Sequence, residues 1–383
     1  MRILYWTPFF LPDIGGIETL SAKLVPALQK EGYDISIVTS HGKYDLADRT
    51  EFNGIPVFRF HTRSAIEKHD LSRILEIRTQ VARLKQFFKP DLIHIHMGDP
   101  SVYFHLSTAA AWPAPTIVSI HQDIEYFGFK GGRGTLLGNA LHMADWVTAV
   151  SGSTLSDLLH IAPEIRNRSS VVYNGVASAQ VVPDPISFDP PRILCPGRLI
   201  HAKGVDLVIA AFASLLSNYP KAQLIIVGEG PHRTELEKQV AGLCLANSVT
   251  FTGSVRPEEV PAIINRATLI IIPSRVEGFP MRALEAGQMA RPVIASSAGG
   301  LAEAIIHKET GLIVECENSS AIADAIAFLL DHPDTAVSMG AAARSRVLKE
   351  FSLKSCADSY SGLYRRLVRS ATNAQAVMEQ RDG

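Results

Sequence analysis

Short apolar runs alternate along the chain with longer stretches whose apolar positions recur every three or four residues. In the first half the runs cover residues 3–6, 35–39, 92–96, 116–120, 146–150 and 171–173, and in the second half 192–195, 223–227, 249–252, 269–272, 292–296 and 312–314. Runs of that length, apolar throughout, are strands buried on both faces, and the periodic stretches between them are helices. Helices are expected over 17–30, 71–88 and 205–217, with another starting near Pro280. In the second of these Leu71, Ile74, Leu75, Val81, Leu84 and Phe88 form the stripe expected to face a core. Residues 177–191 are proline-rich and lack periodicity, which reads as a linker between two α/β domains, each a mostly parallel sheet covered by helices. Ligands of such sheets bind beyond the carboxyl ends of the strands, and two such domains place a site in the cleft between them.

Composition narrows this little. The 383 residues are 46% hydrophobic, and 37 basic residues balance 38 acidic ones, so no general attraction to nucleic acid is implied. Cys195, Cys244, Cys316 and Cys356 form neither a zinc motif nor a disulfide framework, as in a reducing compartment. The start, M-R-I-L-Y-W-T-P, enters a strand at once, and no apolar run reaches the roughly 18 residues of a membrane span. A cytoplasmic, soluble chain is expected, with contact at a membrane surface left open.

Chemistry concentrates in the loops after the strands. The loop P-D-I-G-G-I-E, residues 12–18, has Gly15 and Gly16 where a helix opens, which admits an anion; Glu18 there also suits the helix dipole alone. His94 and His96 lie on one face of a strand, with Asp99 beyond; no third ligand at metal spacing supports a metal, and histidines hydrogen-bonded near the cleft are expected. His121 and Asp123 end an apolar strand, where a polar pair serves a cleft rather than a core. The glycine- and aromatic-rich stretch 126–134 carries Lys130 and Arg133 and is either a substrate lid or a surface connection. A basic stretch, Arg59, Arg63, Lys68, Arg73, Arg78, Arg83, Lys85 and Lys89, is either a solvated face or a patch for anionic lipid.

In the second half, P-G-R-L-I-H-A-K-G-V-D places Arg198 and Lys203 beside a helix start, a clamp for a diphosphate. The turn V-G-E-G-P, with Gly228, has Arg233 where the third glycine of a dinucleotide site belongs. Val255 sits in the loop T-G-S-V-R-P-E-E, placed to meet a nucleotide base. The stretch P-S-R-V-E-G-F-P-M-R-A-L-E runs from Pro273 to Glu285, with Gly278 and Phe279 ahead of Pro280 at the first helical position. The N–H groups of Met281, Arg282 and Ala283 are then expected to point at an anion. Glu277 before that site and Glu285 after it suit hydroxyls on both sides of a phosphate, as in a nucleotide sugar.

Taken in order, G-G-I-E at 15–18, D-L-I-H-I-H at 91–96, Y-N-G-V at 173–176, G-R-L with K-G-V-D at 197–206, V-G-E-G-P at 227–231, E-G-F-P-M-R-A-L-E at 277–285 and G-G-L-A-E at 299–303 resemble the retaining glycosyltransferases of family four. The resemblance implies the GT-B architecture, two Rossmann-like domains with parallel sheets facing across a central cleft. The domains would be residues 1–180 on the acceptor side and 181–352 for the nucleotide sugar, with a helix within about 353–383 crossing back. It implies that Glu277 bonds the donor sugar and Glu285 the ribose. Arg198 and Lys203 would hold the diphosphate with the backbone of Gly16, Phe279, Pro280 and Met281, and His121 would sit beside the transferring sugar. His96, Asp123, Lys130 and Arg133 are assigned to the acceptor side. The implied reaction is transfer from a UDP- or GDP-sugar to a hydroxyl of a sugar, glycolipid or phosphorylated acceptor, by same-face attack and without metal or other cofactor. Two departures stand out: Q-M-A-R at 288–291, which bears on packing, and Arg282 inside the anion-binding helix. An epimerase or hydrolase of nucleotide sugars, an NAD-dependent oxidoreductase and a non-catalytic membrane-surface protein are the rival readings.

Overall fold

The computed structural model describes residues 1–13, 15–44, 46–97, 100–121, 132 and 134–379. Two compact units divide the chain: Met1–Gly175 with Leu353–Gly383, and Val176–Ser352. No helix among the described residues is long and apolar enough to cross a membrane.

The first unit is built on an eight-stranded sheet. Its strands are β1 (Arg2–Trp6), β2 (Asp34–Ser40), β3 (Arg49–Phe52), β4 (Ile55–Phe60), β5 (Leu92–Met97), β6 (Thr116–Ile120), β7 (Trp146–Ala149) and β8 (Ser169–Val171). They lie in the order β3-β4-β2-β1-β5-β6-β7-β8, with β3 antiparallel to β4 and every other pairing parallel. β1 is buried on both faces: Leu4 and Trp6 pack toward Ile77, Val81 and Leu84 of the helix Leu71–Phe88, while Ile3 and Tyr5 face the helices Gly16–Lys30 and Leu353–Glu379. The last helix is tied into this core, with Tyr364 Oη 2.6 Å from His94 Nδ1 and Ser361 Oγ donating to Glu31 Oε2 at 2.5 Å.

Strands β3 and β4 have no counterpart in the hydrophobic pattern. R-T-E-F is half exposed and carries no apolar run, but Asn53 and Gly54 (φ 51° and 78°) make the two-residue turn that Asn-Gly favours. The helix Leu71–Phe88 also differs from expectation. Leu71 and Leu75 are 74% and 59% exposed, and Ile77 takes the core position instead. Nor is the basic stretch one surface. Lys85 is fully buried, Nζ bonding His105 O at 3.1 Å and His105 Nδ1 at 3.2 Å, and burial lowers it to about 7. Arg59 is buried with Nη1 on Thr50 Oγ1 and Nη2 on Leu11 O. Arg63 and Arg73 pair with Glu67 and Glu76 on the surface.

The second unit carries β9 (Arg192–Pro196), β10 (Gln223–Val227), β11 (Val249–Gly253), β12 (Leu269–Ile272), β13 (Val293–Ser296) and β14 (Gly311–Val314). All pairings are parallel and the order is β11-β10-β9-β12-β13-β14. The order reverses beside β9, so the loops after β9 and β12 flank the crevice where such sheets bind ligands. Residues 177–191, read as a linker, are bonded into the second unit, Val176–Ser352. Asp184 N–H donates to Asn265 Oδ1 at 2.9 Å, and Thr268 Oγ1 donates to Ser187 O at 2.6 Å. Buried Arg291, from the unusual Q-M-A-R, donates to Asp184 O at 3.0 Å and Asn265 Oδ1 at 3.1 Å, and Gln288 Nε2 donates to Ala177 O at 2.7 Å. That departure from the family pattern fastens the segment to its own unit.

Tyr364 is fully buried. Tyr364→Ala is expected to destabilise the first unit by about 3–5 kcal/mol through the cavity it leaves. Tyr364→Phe, which strands only the His94 hydrogen bond, should cost about 1–3 kcal/mol. Urea unfolding of the three proteins checks both values.

Candidate functional site

In the second unit the sequence-predicted residues gather at the carboxyl ends of β9 and β12. β9 leads into a short 3-10 turn, His201–Lys203, and Gly204 follows with φ 63°. A Cβ on Gly204 would lie 2.1 Å from Pro273 O, so only glycine lets the two loops meet. The contact delivers Lys203 to Glu277: Nζ donates to Oε2 at 2.7 Å, with both side chains mostly buried. Ser274 Oγ donates to the same oxygen at 3.1 Å. Gly299, with φ 47°, approaches from the loop after β13, where a Cβ would fall 1.9 Å from Glu277 O, and Gly300 N–H donates to that carbonyl at 3.1 Å. Glu277 is thus held by three loops.

Arg198 is exposed on the loop that passes Lys203, whose side chain runs beside Gly197. Among the described residues its guanidinium has no partner, whereas Lys203 is neutralised by Glu277. Behind them Arg275 bonds both oxygens of Asp206 at 2.7 Å, donates to His201 O at 2.8 Å and pairs with Glu317. Burial pushes Asp206 up, but Arg275 more than reverses this and holds it below its usual range. Ser274 and Arg275 were not singled out from the sequence; the carboxylate of K-G-V-D is the signal that a cation must face it.

The anion-binding turn differs from expectation in detail. The helix is Met281–Gln288 and Pro280 caps it, its carbonyl accepting from Ala283 and Leu284. Met281 N–H donates to Phe279 O, so of the three N–H groups expected to be open, that of Arg282 alone has no backbone acceptor among the described residues. The Phe279 ring packs on Phe351, leaving its backbone and that of Gly278 to line the loop. Arg282 pairs with Glu285 at 2.6 Å. Burial raises Glu285 and Arg282 opposes that rise, so the expected ribose anchor is already engaged by its neighbour. Gly228 and Val255 lie in the loops after β10 and β11.

In the first unit the loop after β1 ends at Gly15, which caps the helix Gly16–Lys30, and Glu18 folds back over it. Nothing lies within 4 Å of a Cβ built on Gly16, so its backbone is open to approach. His121 follows β6. Its Nε2 lies 2.6 Å from His96 Nδ1, and among the described residues its Nδ1 and Asn174 Oδ1, both buried, have no hydrogen-bond partner. Burial lowers His121 to about 4, with Asn174 pulling the other way. His96, expected to face an acceptor, is instead buried behind His121 and stacks on it, because β5 and β6 are adjacent. His94 is further inside, its nitrogens occupied by Tyr364 and Ser119, which leaves it no lone pair for a metal. Asp99, Asp123, Lys130 and Arg133 lie outside the described residues.

Residues 14–180 match the family model described as Glycosyltransferase Family 4, and residues 183–346 that described as Glycosyl transferases group 1. The chain is 38% identical over 168 residues to the GDP-mannose-dependent alpha-(1-6)-phosphatidylinositol monomannoside mannosyltransferase of Mycobacterium tuberculosis. That match covers 42% of this chain and 44% of the relative, so the chain spans under half of that protein's length. The N-acetyl-alpha-D-glucosaminyl L-malate synthase of Bacillus anthracis is 24% identical over 95% of this chain and 97% of its own. Among solved structures, sucrose-phosphate synthase of Thermosynechococcus elongatus superposes with a TM-score of 0.80 at 22% identity, over 97% of this chain and 100% of that one. HepE of Anabaena in complex with UDP-glucose gives 0.76 at 20% identity, over 96% and 100%.

A histidine kept neutral by burial has a definite pH signature. As pH falls below about 6.5 the unfolded chain takes up a proton that folded His121 refuses until about 4. Stability of the first unit is therefore present above 6.5 and lost toward 4, at about 1.4 kcal/mol per pH unit for this group. Buried His94, His96 and His105 shift in the same direction. In urea titrations over this range His121→Gln should show a shallower loss than the parent; an equal slope would contradict the assignment.

Proposed function

The chain belongs to the family-four glycosyltransferases and has their GT-B architecture of two Rossmann-like domains, and from that footing we propose that it transfers a sugar from a UDP- or GDP-sugar to an acceptor hydroxyl with retention of configuration. The observation that carries the reading is the cluster at the carboxyl ends of β9 and β12: Arg198, exposed and without a partner among the described residues, next to a Lys203–Glu277 pair. A diphosphate draws Lys203 toward itself beside Arg198, and the released Glu277 carboxylate accepts hydrogen bonds from the sugar. Donor binding so exchanges an internal ion pair for two ligand contacts. As the glycosidic bond breaks, positive charge grows on the sugar and negative charge on the diphosphate, and the two cations stabilise the latter without a metal. The leaving phosphate oxygen takes the acceptor's proton in a same-face attack. Neutral His121 has the right state to hydrogen-bond sugar hydroxyls without adding charge.

The acceptor reading rests on the helix Leu71–Phe88. Leu71, Leu75 and Phe87 are exposed on it, as are Arg83 within it and Lys68 and Lys89 just beyond its ends. Apolar side chains beside cations suit the inner face of a membrane with anionic head groups, and hence a lipid-linked or phosphorylated acceptor in glycan or glycolipid synthesis.

Arg198→Ala and Lys203→Ala are each expected to lower kcat by about 10²–10³, the usual loss for one donor to a developing anion. Glu277→Ala should in addition raise KM for the donor sugar. Steady-state assays with donor and acceptor measure both, and unimpaired transfer by the Arg198, Lys203 double variant would rule the clamp out. Incubation with donor alone separates transfer from epimerisation, and a thermal-shift series across nucleoside diphosphates and their sugars identifies the base.

A further inference from the structure

We infer that His41, Asp48 and His61 form a site for a divalent transition-metal ion, with zinc the best fit. One ligand atom from each lies within 4.8 Å of the others, and His41 Nε2 is 2.9 Å from Asp48 Oδ1. The imidazoles of His41 and His61 stack with centroids 3.9 Å apart and planes 9° from parallel. Coordination by both histidines requires one ring to turn about its Cβ–Cγ bond, because stacked parallel rings direct their in-plane lone pairs alongside each other. An ion entering between His41 and Asp48 replaces their hydrogen bond, taking the lone pair of the imidazole nitrogen and a carboxylate oxygen.

The scaffold is built without the ion. His41 follows β2 and His61 follows β4, and His41 N–H donates to Phe60 O at 2.9 Å. Asp48 precedes β3, and its carbonyl accepts from Arg59 N–H at 2.7 Å. Ser40 Oγ and Thr62 Oγ1, the neighbours of the two histidines, are 2.5 Å apart. Three chain segments distant in sequence are thus pinned by main-chain bonds so that their next side chains converge. Two imidazoles and one carboxylate select zinc, cobalt, nickel or copper over magnesium and calcium, which take oxygen donors. The His41 side chain is 7% exposed and that of Asp48 75%, so the ion would be reached from solvent and keep water in its remaining positions. Its effect is on the fold: it would bridge the ends of β2 and β4 to the segment that leads into β3, which runs antiparallel to β4. The site stands apart from the donor reading, since none of its ligands serves the phosphate clamp.

Isothermal titration of the full chain, free of any affinity tag, with zinc chloride is the test. One equivalent should bind, with affinity lowered at least about tenfold in His61→Ala and in Asp48→Asn, a loss typical even of residues that only support a ligand. Magnesium should give no heat. Cobalt(II) in place of zinc should show visible d–d bands without the near-ultraviolet band of a thiolate, which separates this site from exposed Cys244. At a fixed zinc concentration the unfolding temperature should rise in the parent and rise less in both variants. No saturable zinc binding by the parent, or binding of equal strength in the variants, overturns the inference.

Discussion

The main-chain contact between Gly204 and Pro273 sets what the second unit can do. Where a side chain would collide with that carbonyl, glycine lets the loop after β9 lie against the loop after β12. Lys203 and Glu277 are 74 positions apart in sequence, and this approach makes them an ion pair. The pair decides the resting charge of the crevice: one cation is internally compensated and the other, Arg198, is open. The Arg275 cluster behind keeps the β9 loop in place through Asp206 and the His201 carbonyl, so that the exposed cation stands on a rigid base.

Most of this frame is readable from residue order alone, for a physical reason. A parallel strand buried on both faces must be apolar throughout, so β1, β2, β5 to β7 and β9 to β14 announce themselves as runs, and the loops after them carry the polar chemistry. The hairpin of β3 and β4 escapes because β3 lies half exposed at the sheet's edge and alternates, leaving Asn53-Gly54 as its sole local mark. Side-chain partners are less legible than positions. On the helix Leu71–Phe88 the expected stripe packs on the core at Ile74, Val81, Leu84 and Phe88, whereas Leu71 and Leu75 are exposed and Ile77 is buried, since helical spacing alone fits all three. A buried lysine such as Lys85 breaks the rule that cations mark surface, and it does so only because His105, 20 residues on, supplies two acceptors.

Charge is managed differently in the two units. The second holds several site groups as ion pairs, Lys203 with Glu277, Arg282 with Glu285, and Arg275 with Asp206 and Glu317, and leaves Arg198 exposed. The first buries His94, His96 and His121 as a chain of neutral rings, with Tyr360, Tyr364 and Ser119 around them. Burial lowers all three histidines, so this polar interior carries no net charge near neutrality.

The helix Leu353–Glu379 belongs to the unit that the chain began, and it covers one face of that unit's core with Tyr360, Leu363, Tyr364 and Leu367. On a ribosome, therefore, the second unit, finished at Ser352, has all its residues before the first does. The first emerges early yet must wait with an apolar face unsheltered until the final turns arrive. Premature termination before Tyr360 would release a chain whose later half is complete and whose earlier half is the sticky one.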